Sequence, residues 1–437
     1  MSIQAVKKRS VHSPDICERD LLGLACRRPE SLLNDQHSFS DCPEARPDQL
    51  GCHATSTNTL ARVVDVWING RFLTRPTTGV ERVARGLVSA LAKHFLDTDA
   101  SLTCGQTILR FRIAVPEKFK AKVPSSIGCI PVVAMGVHQG HLWEQMDLAR
   151  LPKDDWLISL CNTGPLLRRN HGLMFHDAQI YAIPANFTWK FRLWYRVMLN
   201  VGGRRAAFLL TNSCFSQTEI ARYTGIHSAR MTVVYPGSDH VLPGKKSDSC
   251  HEIDRVLKRP FVLAVSSVNP NKNFGAVVRA LELMGPDAPQ CVVVGPLNSK
   301  VFESAKLDMD KVTYLGFVSD ETLSHLYQHA LCLVFPSHYE GFGLPPIEAM
   351  RSGCPVVVSQ SSCLPEVCGD AALYCDPAKP QTLADAIASL IHSPARVALF
   401  RELGRQHAEQ YTWRRAAAQM VERLKMAIDV ADEEKLA

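Results

Sequence analysis

Residues 331–358 read LCLVFPSHYEGFGLPPIEAMRSGCPVVV, and this stretch decides the fold. Its first five residues form an apolar run typical of a buried strand. The loop that follows contains Gly341 and Gly343, and Pro345-Pro346 indicates the first turn of a helix, where the fixed φ of proline is tolerated. A strand, a glycine-rich loop and a helix N-terminus in that order predict a binding site for an anion such as phosphate, because free N–H groups and the helix dipole attract negative charge.

Short apolar strands alternate with helical periodicity in other parts of the chain. Val63–Ile68 is followed by a loop, by Gly79 and by apolar residues at helical spacing, and the strand that begins at Phe261 is followed in the same way. Cys291–Val294 adds another buried strand. Because this alternation is typical of parallel sheets covered by helices, we predict an α/β protein with two doubly wound, Rossmann-like domains.

The chain divides into four predicted segments. Residues 1–60 are polar and lack a sustained period, which is typical of a disordered extension. The polar stretch Gly244–Ser249 indicates a linker, so we place an N-terminal domain at 61–245 and a C-terminal domain at 246–415. A final helix over 416–437 carries apolar residues on one face.

Composition narrows the class of protein. The 437 residues are 46% hydrophobic and have a formal net charge of +6. This charge fits an acidic partner such as a sugar nucleotide or an anionic lipid surface, but it is too weak to indicate nucleic acid. No apolar stretch approaches the roughly 20 residues that span a bilayer, and Met1–Pro14 lacks the apolar core of a secretion signal. The 15 cysteines, an odd number without a C-x-x-C pair, indicate reduced thiols, so we expect a cytoplasmic protein.

The quoted stretch resembles the donor-site signature of the family-four retaining glycosyltransferases. Two glutamates separated by seven residues, Glu340 and Glu348, enclose the glycine-rich loop, and Gly353–Val357 and Leu364–Val367 are similar to the family as well. The resemblance implies the GT-B fold, in which two Rossmann-like domains face each other across a cleft and the C-terminal helix packs back on the first domain. It also implies a retaining hexosyltransferase that takes its sugar from a nucleoside diphosphate.

The same resemblance assigns roles to three side chains of the donor site. Glu340 would contact hydroxyls of the donor sugar as a catalytic residue, Glu348 would hydrogen-bond the ribose, and Lys272 would bind the diphosphate as a point charge. Alternatives exist for each residue taken alone. Glu348 fits a first-turn carboxylate favoured by the helix dipole, and Lys272 fits an ordinary solvated lysine.

Further site residues follow from the resemblance. His176, at a strand end, would lie near donor and acceptor as a second catalytic residue, although a histidine satisfied in the core is the alternative. Gly79 would let the backbone approach the diphosphate, or it only marks a loop. Phe317 and Val318 would contact the nucleotide base through their backbone. The backbone of the glycine-rich loop would hold sugar and diphosphate through Gly341, Phe342, Gly343 and Leu344.

We expect neither a metal ion nor another cofactor. Asp97–Asp99 and Asp308–Asp310 have the D-x-D spacing of metal-dependent glycosyltransferases, but both lie in polar surroundings and not at the end of a buried strand. Similarity to bacterial mannosyltransferases suggests GDP-mannose as donor, with a glycan or polyprenyl-diphosphate-linked acceptor in polysaccharide or lipopolysaccharide biosynthesis. A non-catalytic nucleotide-sugar-binding partner and a GT-B sugar-nucleotide epimerase are the alternatives.

Two basic segments are candidates for peripheral contact with the inner face of the plasma membrane. Lys190–Arg205 combines aromatic and cationic residues, and Lys118–Lys122 contains three lysines. On a helical wheel of the first segment the cations do not separate from the aromatics, which favours a largely buried helix with snorkelling cations over a helix on a membrane surface.

Overall fold

The computed structural model describes residues 61–241, 251–265, 269–295 and 312–436. The predicted extension 1–60 and the predicted linker Gly244–Ser249 lie outside the described residues, as does the 245/246 domain boundary, and the assigned boundaries stay predictions.

The first sheet is built from the N-terminal half of the described chain. Its strand order is β4-β5-β3-β1-β6-β7-β8-β9, with β2 paired to the outer side of β3. Strands β2 and β4 are antiparallel to their neighbours, and all other pairs are parallel. The strands are β1 Arg62–Asn69, β2 Ser101–Cys104, β3 Thr107–Val115, β4 Ser126–Ile127, β5 Ile130–Ala134, β6 Trp156–Ser159, β7 His171–Met174, β8 Phe208–Thr211 and β9 Met231–Val233.

The second sheet follows in the C-terminal half, and all its strand pairs are parallel. The order is β12-β11-β10-β13-β14-β15. The strands are β10 Phe261–Val265, β11 Gln290–Val294, β12 Val312–Gly316, β13 Cys332–Phe335, β14 Val356–Ser359 and β15 Leu373–Cys375.

Helices connect the parallel strands. They are α1 Gly79–His94, α2 Gly140–Met146, α3 Gln179–Ala182, α4 Trp189–Val197, α5 Gly203–Arg205, α6 Cys214–Thr224, α7 His251–Val256, α8 Phe274–Met284, α9 Asp320–His329, α10 Leu344–Arg351, α11 Leu364–Cys368, α12 Pro380–Ile391, α13 Pro394–Ala408 and α14 Trp413–Leu436. A π-helical turn, Met198–Gly202, joins α4 to α5. The predicted doubly wound α/β architecture is confirmed, because both sheets are parallel at their centres and carry helical crossovers.

The central strands lie in the core, as parallel sheets covered by helices require. Every residue of β6, β7, β8, β13 and β14 is buried. The last helix, α14, packs against α1 of the N-terminal sheet, where Gly86 leaves room for the indole of Trp413. Further along, the guanidinium of Arg423 lies 5.7 Å from the ring centroid of Phe208 in β8. The C-terminal helix therefore belongs structurally with the first sheet.

The prediction that Lys190–Arg205 forms a largely buried helix is wrong for the first half of this segment. No residue of α4 is buried, whereas Met198, Leu199, Gly202 and Gly203 are. The aromatic residues of α4 instead pack partly on one another, with the rings of Phe191 and Tyr195 stacked 4.1 Å apart. Within the described ranges no single helix is long and apolar enough to cross a bilayer, and only the pair Pro380–Ile391 and Pro394–Lys435, bent by 103°, passes that test by length and composition.

Candidate active site

The site lies where the strand order of the second sheet reverses. Strands β10 and β13 are adjacent and parallel, and the chain leaves them on opposite sides, towards β11 and β14. Ligands of open α/β sheets bind at such a switch point, beyond the carboxyl ends of the two strands. Here the loop after β10 contains Lys272 and the loop after β13 contains Glu340, so the fold brings the two predicted donor residues together.

Lys272 and Glu340 form an ion pair. The Lys272 ammonium Nζ lies 2.8 Å from Glu340 Oε1, and both side chains are largely buried, with 24% and 10% of their surfaces exposed. The ammonium also lies 4.7 Å from the ring centroid of Phe335, a cation–π distance. The Glu340 backbone N–H donates to Ser362 Oγ at 3.0 Å. A cation and a carboxylate are thus held together on neighbouring loops.

The glycine-rich loop is docked on the N-terminal domain through Gly341. Its carbonyl oxygen accepts hydrogen bonds from Ser213 Oγ at 2.6 Å and Ser216 Oγ at 3.1 Å. A Cβ atom at Gly341 would lie 2.5 Å from the His176 carbonyl oxygen and 3.1 Å from Asp177 Cβ. Glycine is required here by close approach of the two domains. The neighbouring Gly343 adopts φ 87° and caps the N-terminus of α10, a conformation that favours glycine.

Helix α10 begins at Leu344 with Pro345 and Pro346 in its first turn, as its sequence predicts. Phe342 and Leu344 are buried in the core beside the loop. The loop is therefore anchored by these two buried apolar side chains and ends at the N-terminus of a helix, where free N–H groups can bind an anion. The donor-binding roles of Gly341, Phe342, Gly343 and Leu344 stay predictions.

His176 is buried at the end of β7, and protein atoms meet both of its ring nitrogens. Nε2 lies 2.8 Å from the Leu160 carbonyl oxygen, which can only accept, so Nε2 carries the proton. Nδ1 lies 3.5 Å from Asn212 Nδ2. Burial lowers the pKa of His176, so the ring is neutral near pH 7. His176 lies beside Gly341. The backbone carbonyl of His176 faces the loop, whereas its ring contacts the Leu160 carbonyl. The catalytic role of His176 stays a prediction.

Asp177 is the titratable side chain that faces Glu340 from the N-terminal domain. Burial raises the pKa of Asp177 to about 6, the Gln179 N–H lowers it, and the nearby Glu340 carboxylate raises it. The Gln179 N–H donates to Asp177 Oδ1 at 2.9 Å. A carboxyl group that titrates near pH 6 at the junction of two domains is typical of a functional site.

Glu348 lies in α10 and is held by a chain of hydrogen bonds that its own sequence neighbourhood does not reveal. Its Oε1 lies 3.1 Å from His240 Nε2, and its Oε2 accepts from the Tyr327 hydroxyl at 3.4 Å. Trp413 Nε1–H donates to His240 Nδ1 at 3.1 Å, so Nε2 of His240 is the protonated nitrogen that donates to Glu348. His240 is a site residue that the sequence analysis did not identify. It directly follows Val233–Asp239, the stretch between the two domains, and this position is the signal that could have found it.

Gly79 is the first residue of α1, and a Cβ atom there would meet nothing within 4 Å. The preceding Thr78 and the buried Glu81 form a capping box. The open space in front of Gly79 is compatible with a ligand at this helix N-terminus, and its diphosphate role stays a prediction.

Three residues beyond Gly79 in α1, Arg82 joins the two domains. Its two terminal nitrogens donate to the carboxylate of Asp320 at 2.8 and 2.7 Å. The bond to Arg82 lowers the pKa of Asp320, and the same bond raises that of Arg82. This pair is the second site feature that the sequence did not show.

Two cavities adjoin these groups. The larger, about 790 Å³, lies between α1 and the loop before α9 and is lined by Phe317, Val318, Asp320, Arg82 and His240 among others. Phe317 and Val318 therefore face the cleft. Their contact with the nucleotide base stays a prediction. The smaller cavity, about 410 Å³, lies within the N-terminal domain. Its walls include Arg75, Glu81, Asn162, Asp177, Phe187, Phe191 and Tyr195.

Solved structures with a similar fold place this architecture among the GT-B glycosyltransferases. A sucrose-phosphate synthase from Thermosynechococcus elongatus superposes with a TM-score of 0.63 at 17% identity, covering 84% of this chain and 100% of that one. HepE from Anabaena, solved with UDP-glucose, gives 0.62 at 19% identity over 83% and 99% of the two chains. The predicted GT-B fold is therefore confirmed.

Sequence comparison then gives the family. The family model for glycosyl transferases group 1 matches residues 249–407. The O-antigen chain mannosyltransferase RfbU of Salmonella typhimurium is 31% identical over 55% of this chain and 65% of its own length. The O-antigen chain mannosyltransferase B of Escherichia coli is 30% identical over 58% and 69%. The chain belongs to the glycosyl transferases group 1 family, and it matches about two thirds of the length of these relatives.

Proposed function

We propose that the protein is a retaining hexosyltransferase that moves mannose from GDP-mannose to a lipid-linked glycan in polysaccharide or lipopolysaccharide biosynthesis. The observation that carries this proposal is the oriented Lys272–Glu340 pair, 2.8 Å apart at the switch point of the second sheet. The names of the two mannosyltransferase relatives support the choice of sugar and pathway. Neither the epimerase nor the non-catalytic alternative has comparable support.

The proposed reaction exchanges one bond at the anomeric carbon for another. The bond from that carbon to the β-phosphate oxygen breaks, and the acceptor hydroxyl forms the new glycosidic bond on the same face of the sugar. The acceptor proton passes to the departing phosphate oxygen, so no protein base is needed. Lys272 gives up part of its contact with Glu340 to offset the charge that grows on the diphosphate. Glu340, thus released, accepts hydrogen bonds from sugar hydroxyls.

One feature of the larger cavity supports guanine as the base. Asp320 accepts two parallel N–H bonds from Arg82, the fork geometry that suits a carboxylate. The Watson–Crick edge of guanine offers a similar parallel pair, N1–H and N2–H. Uracil instead offers one N–H between two carbonyl groups. A guanine that displaced Arg82 would find its acceptor already in position.

We also propose that catalysis needs no metal ion. Within the described ranges no group of three or more His, Cys, Asp or Glu side chains is arranged to hold one. The helix N-termini and Lys272 would neutralise the diphosphate in its place. We place the enzyme on the cytoplasmic face of the membrane that carries its acceptor.

The test is a transfer assay with purified protein. GDP-, UDP-, ADP- and dTDP-sugars are offered with a lipid-linked or soluble glycan acceptor, with and without EDTA. The proposal expects transfer from GDP-mannose that survives EDTA and that Glu340→Gln lowers by about 10²-fold. Transfer from UDP-sugars alone would overturn the choice of base. Loss of activity on chelation, restored by Mg²⁺ or Mn²⁺, would overturn the metal-independent mechanism.

A further inference from the structure

Exposed apolar side chains are frequent in one region of the N-terminal domain. Of the 16 large hydrophobic side chains that are exposed in the described residues, seven fall between positions 137 and 193. Val137 is 84% exposed, Leu167 74% and Trp189 63%. The others are Leu142, Met146, Phe191 and Leu193. Single exposed hydrophobic residues are ordinary, but a contiguous group marks an interaction surface.

The segments that carry these side chains are held together by specific contacts. Helix α2 is joined to α4 through His141, whose Nδ1 accepts from Trp194 Nε1–H at 3.1 Å. It is joined to the loop before Arg168 through Gln145, which donates to the Gly164 carbonyl at 2.8 Å and accepts from the Leu166 N–H at 3.0 Å. The exposed residues therefore lie on adjoining segments. We call this region the docking face, and its apolar members are Val137, Leu142, Met146, Leu167, Trp189 and Leu193.

Helix α4 separates this face from the smaller cavity. Trp189 and Leu193 are four residues apart and thus lie on one side of the helix, where both are exposed. Phe191 and Tyr195 are likewise four apart and stack on each other, and both line the cavity that contains Asp177. One side of α4 is thus turned outward, and another faces the cavity beside the candidate site.

The border of the docking face is basic. Lys190 and Arg196 are exposed on α4, and Lys118, Lys120 and Lys122 are exposed in the segment next to α2. Lys118 reaches that helix through Gln139, with Nζ 3.3 Å from Oε1.

Few carboxylates offset these cations. In the segments 117–122, 137–147 and 188–196 the acidic residues are Glu117, Glu144 and Asp147. Glu144 and Asp147 are buried, and Glu117 pairs with Lys120. The face therefore combines exposed apolar groups with a border of net positive charge, the composition that binds anionic lipid.

We propose that the docking face binds the surface of an anionic lipid bilayer, with Trp189 and Leu193 entering the interfacial region. This inference deepens the proposed function, since a lipid-linked acceptor would then enter the cavity beside α4 directly from the membrane. Membrane binding itself needs no turnover, so it can be tested whether or not the proposed sugar transfer is correct.

The experiment is co-sedimentation of the full chain with vesicles of phosphatidylcholine alone and with vesicles of phosphatidylcholine mixed with anionic phosphatidylglycerol. Binding is expected only to the anionic vesicles and should weaken as salt rises. Trp189→Ser/Leu193→Ser should lower the partition coefficient by about 10-fold or more. Lys120→Gln/Lys122→Gln should lower it about 25-fold, since each cation near an anionic surface contributes about 5-fold.

Matched variants elsewhere on the chain serve as controls. Leu399→Ser/Met426→Ser changes two side chains that are each 54% exposed, and Lys258→Gln/Arg259→Gln removes two exposed cations. Both should bind vesicles as the unmodified chain does. Equal losses in the control and docking-face variants would overturn the proposal. Circular dichroism of every variant excludes misfolding as the cause of lost binding.

Two further outcomes would show that the docking face binds something other than anionic lipid. No binding by the full chain, with binding only after residues 1–58 are removed, would assign the face to that segment and overturn the proposal. Equal binding to neutral and anionic vesicles would overturn the role of charge. If vesicle binding is lost in Trp189→Ser/Leu193→Ser while transfer to a soluble acceptor is unchanged and transfer to a lipid-linked acceptor falls, the proposal is supported. Failure of sugar transfer with intact vesicle binding would contradict the proposed function alone.

Discussion

Replacement of Gly341 by alanine should separate the two halves of the candidate site without unfolding the protein. The new Cβ would lie 2.5 Å from the His176 carbonyl oxygen, whereas a carbon atom ordinarily stays about 3.3 Å or more from such an oxygen. The loop must therefore retreat by about 1 Å. This movement would stretch the hydrogen bonds that Ser213 and Ser216 donate to the Gly341 carbonyl.

A misplacement of about 1 Å at a reacting centre costs about 10²-fold in rate. We therefore expect kcat of Gly341→Ala to fall about 10²-fold in the transfer assay. GDP affinity by calorimetry should fall by much less than kcat, because GDP keeps the diphosphate contact with this loop but lacks the sugar. Gly202→Ala is the control, since its Cβ would meet its nearest atom, Met198 Cε, at 3.4 Å, an ordinary contact. Full turnover by Gly341→Ala would refute the claim that domain contact at this glycine shapes the site.

Three further substitutions test the groups around that loop. Lys272→Ala should lower kcat more than it raises KM, because the diphosphate gains charge in the transition state; a rise in KM at constant kcat would make Lys272 a binding contact only. Glu348→Ala should weaken GDP binding and leave the rate at saturation nearly unchanged, and calorimetry that shows an unaltered Kd would remove the ribose contact. Asp177→Asn should raise the free energy of unfolding at pH 7.5 by about 3 kcal/mol, from a pKa raised by about two units at about 1.4 kcal/mol each. A raised carboxyl pKa makes the native state bind protons more tightly than the unfolded chain, so wild-type stability falls as pH rises from about 4 to 6. The gain from Asp177→Asn should therefore vanish below pH 4, and a pH-independent gain would contradict the assigned pKa.

The architecture was predictable because it depends on local patterns. Apolar runs, glycines and prolines in 331–358 determine strand β13, the loop and helix α10, and these lie within one or two residues of their predicted positions. The same patterns mark the start of α1 at Gly79. Parallel order and the switch point then follow from the alternation of strands and helices.

The partners within the site were not predictable in this way. Lys272 and Glu340 are 68 residues apart, His240 and Glu348 are 108 apart, and Arg82 and Asp320 are 238 apart. No periodicity in the sequence relates such pairs. Lys272 and Glu340 meet only when the second sheet has formed, and the other two pairs meet only when the N-terminal and C-terminal parts of the chain have packed together. The exposure of α4 was missed for a related reason: mixed aromatic and cationic residues fit a buried or a surface helix, and only the packing around Trp189 decides between them.

The stereochemistry of the product tests the central claim most directly. Transfer from GDP-mannose to an acceptor glycan, followed by NMR of the new glycosidic bond, reports whether the anomeric configuration of the donor is kept. We predict a mannosylated product with the donor's configuration and about 10²-fold less of it per unit time with Glu340→Gln. An inverted product, or transfer that is unchanged in Glu340→Gln, would contradict a retaining reaction at the Lys272–Glu340 site.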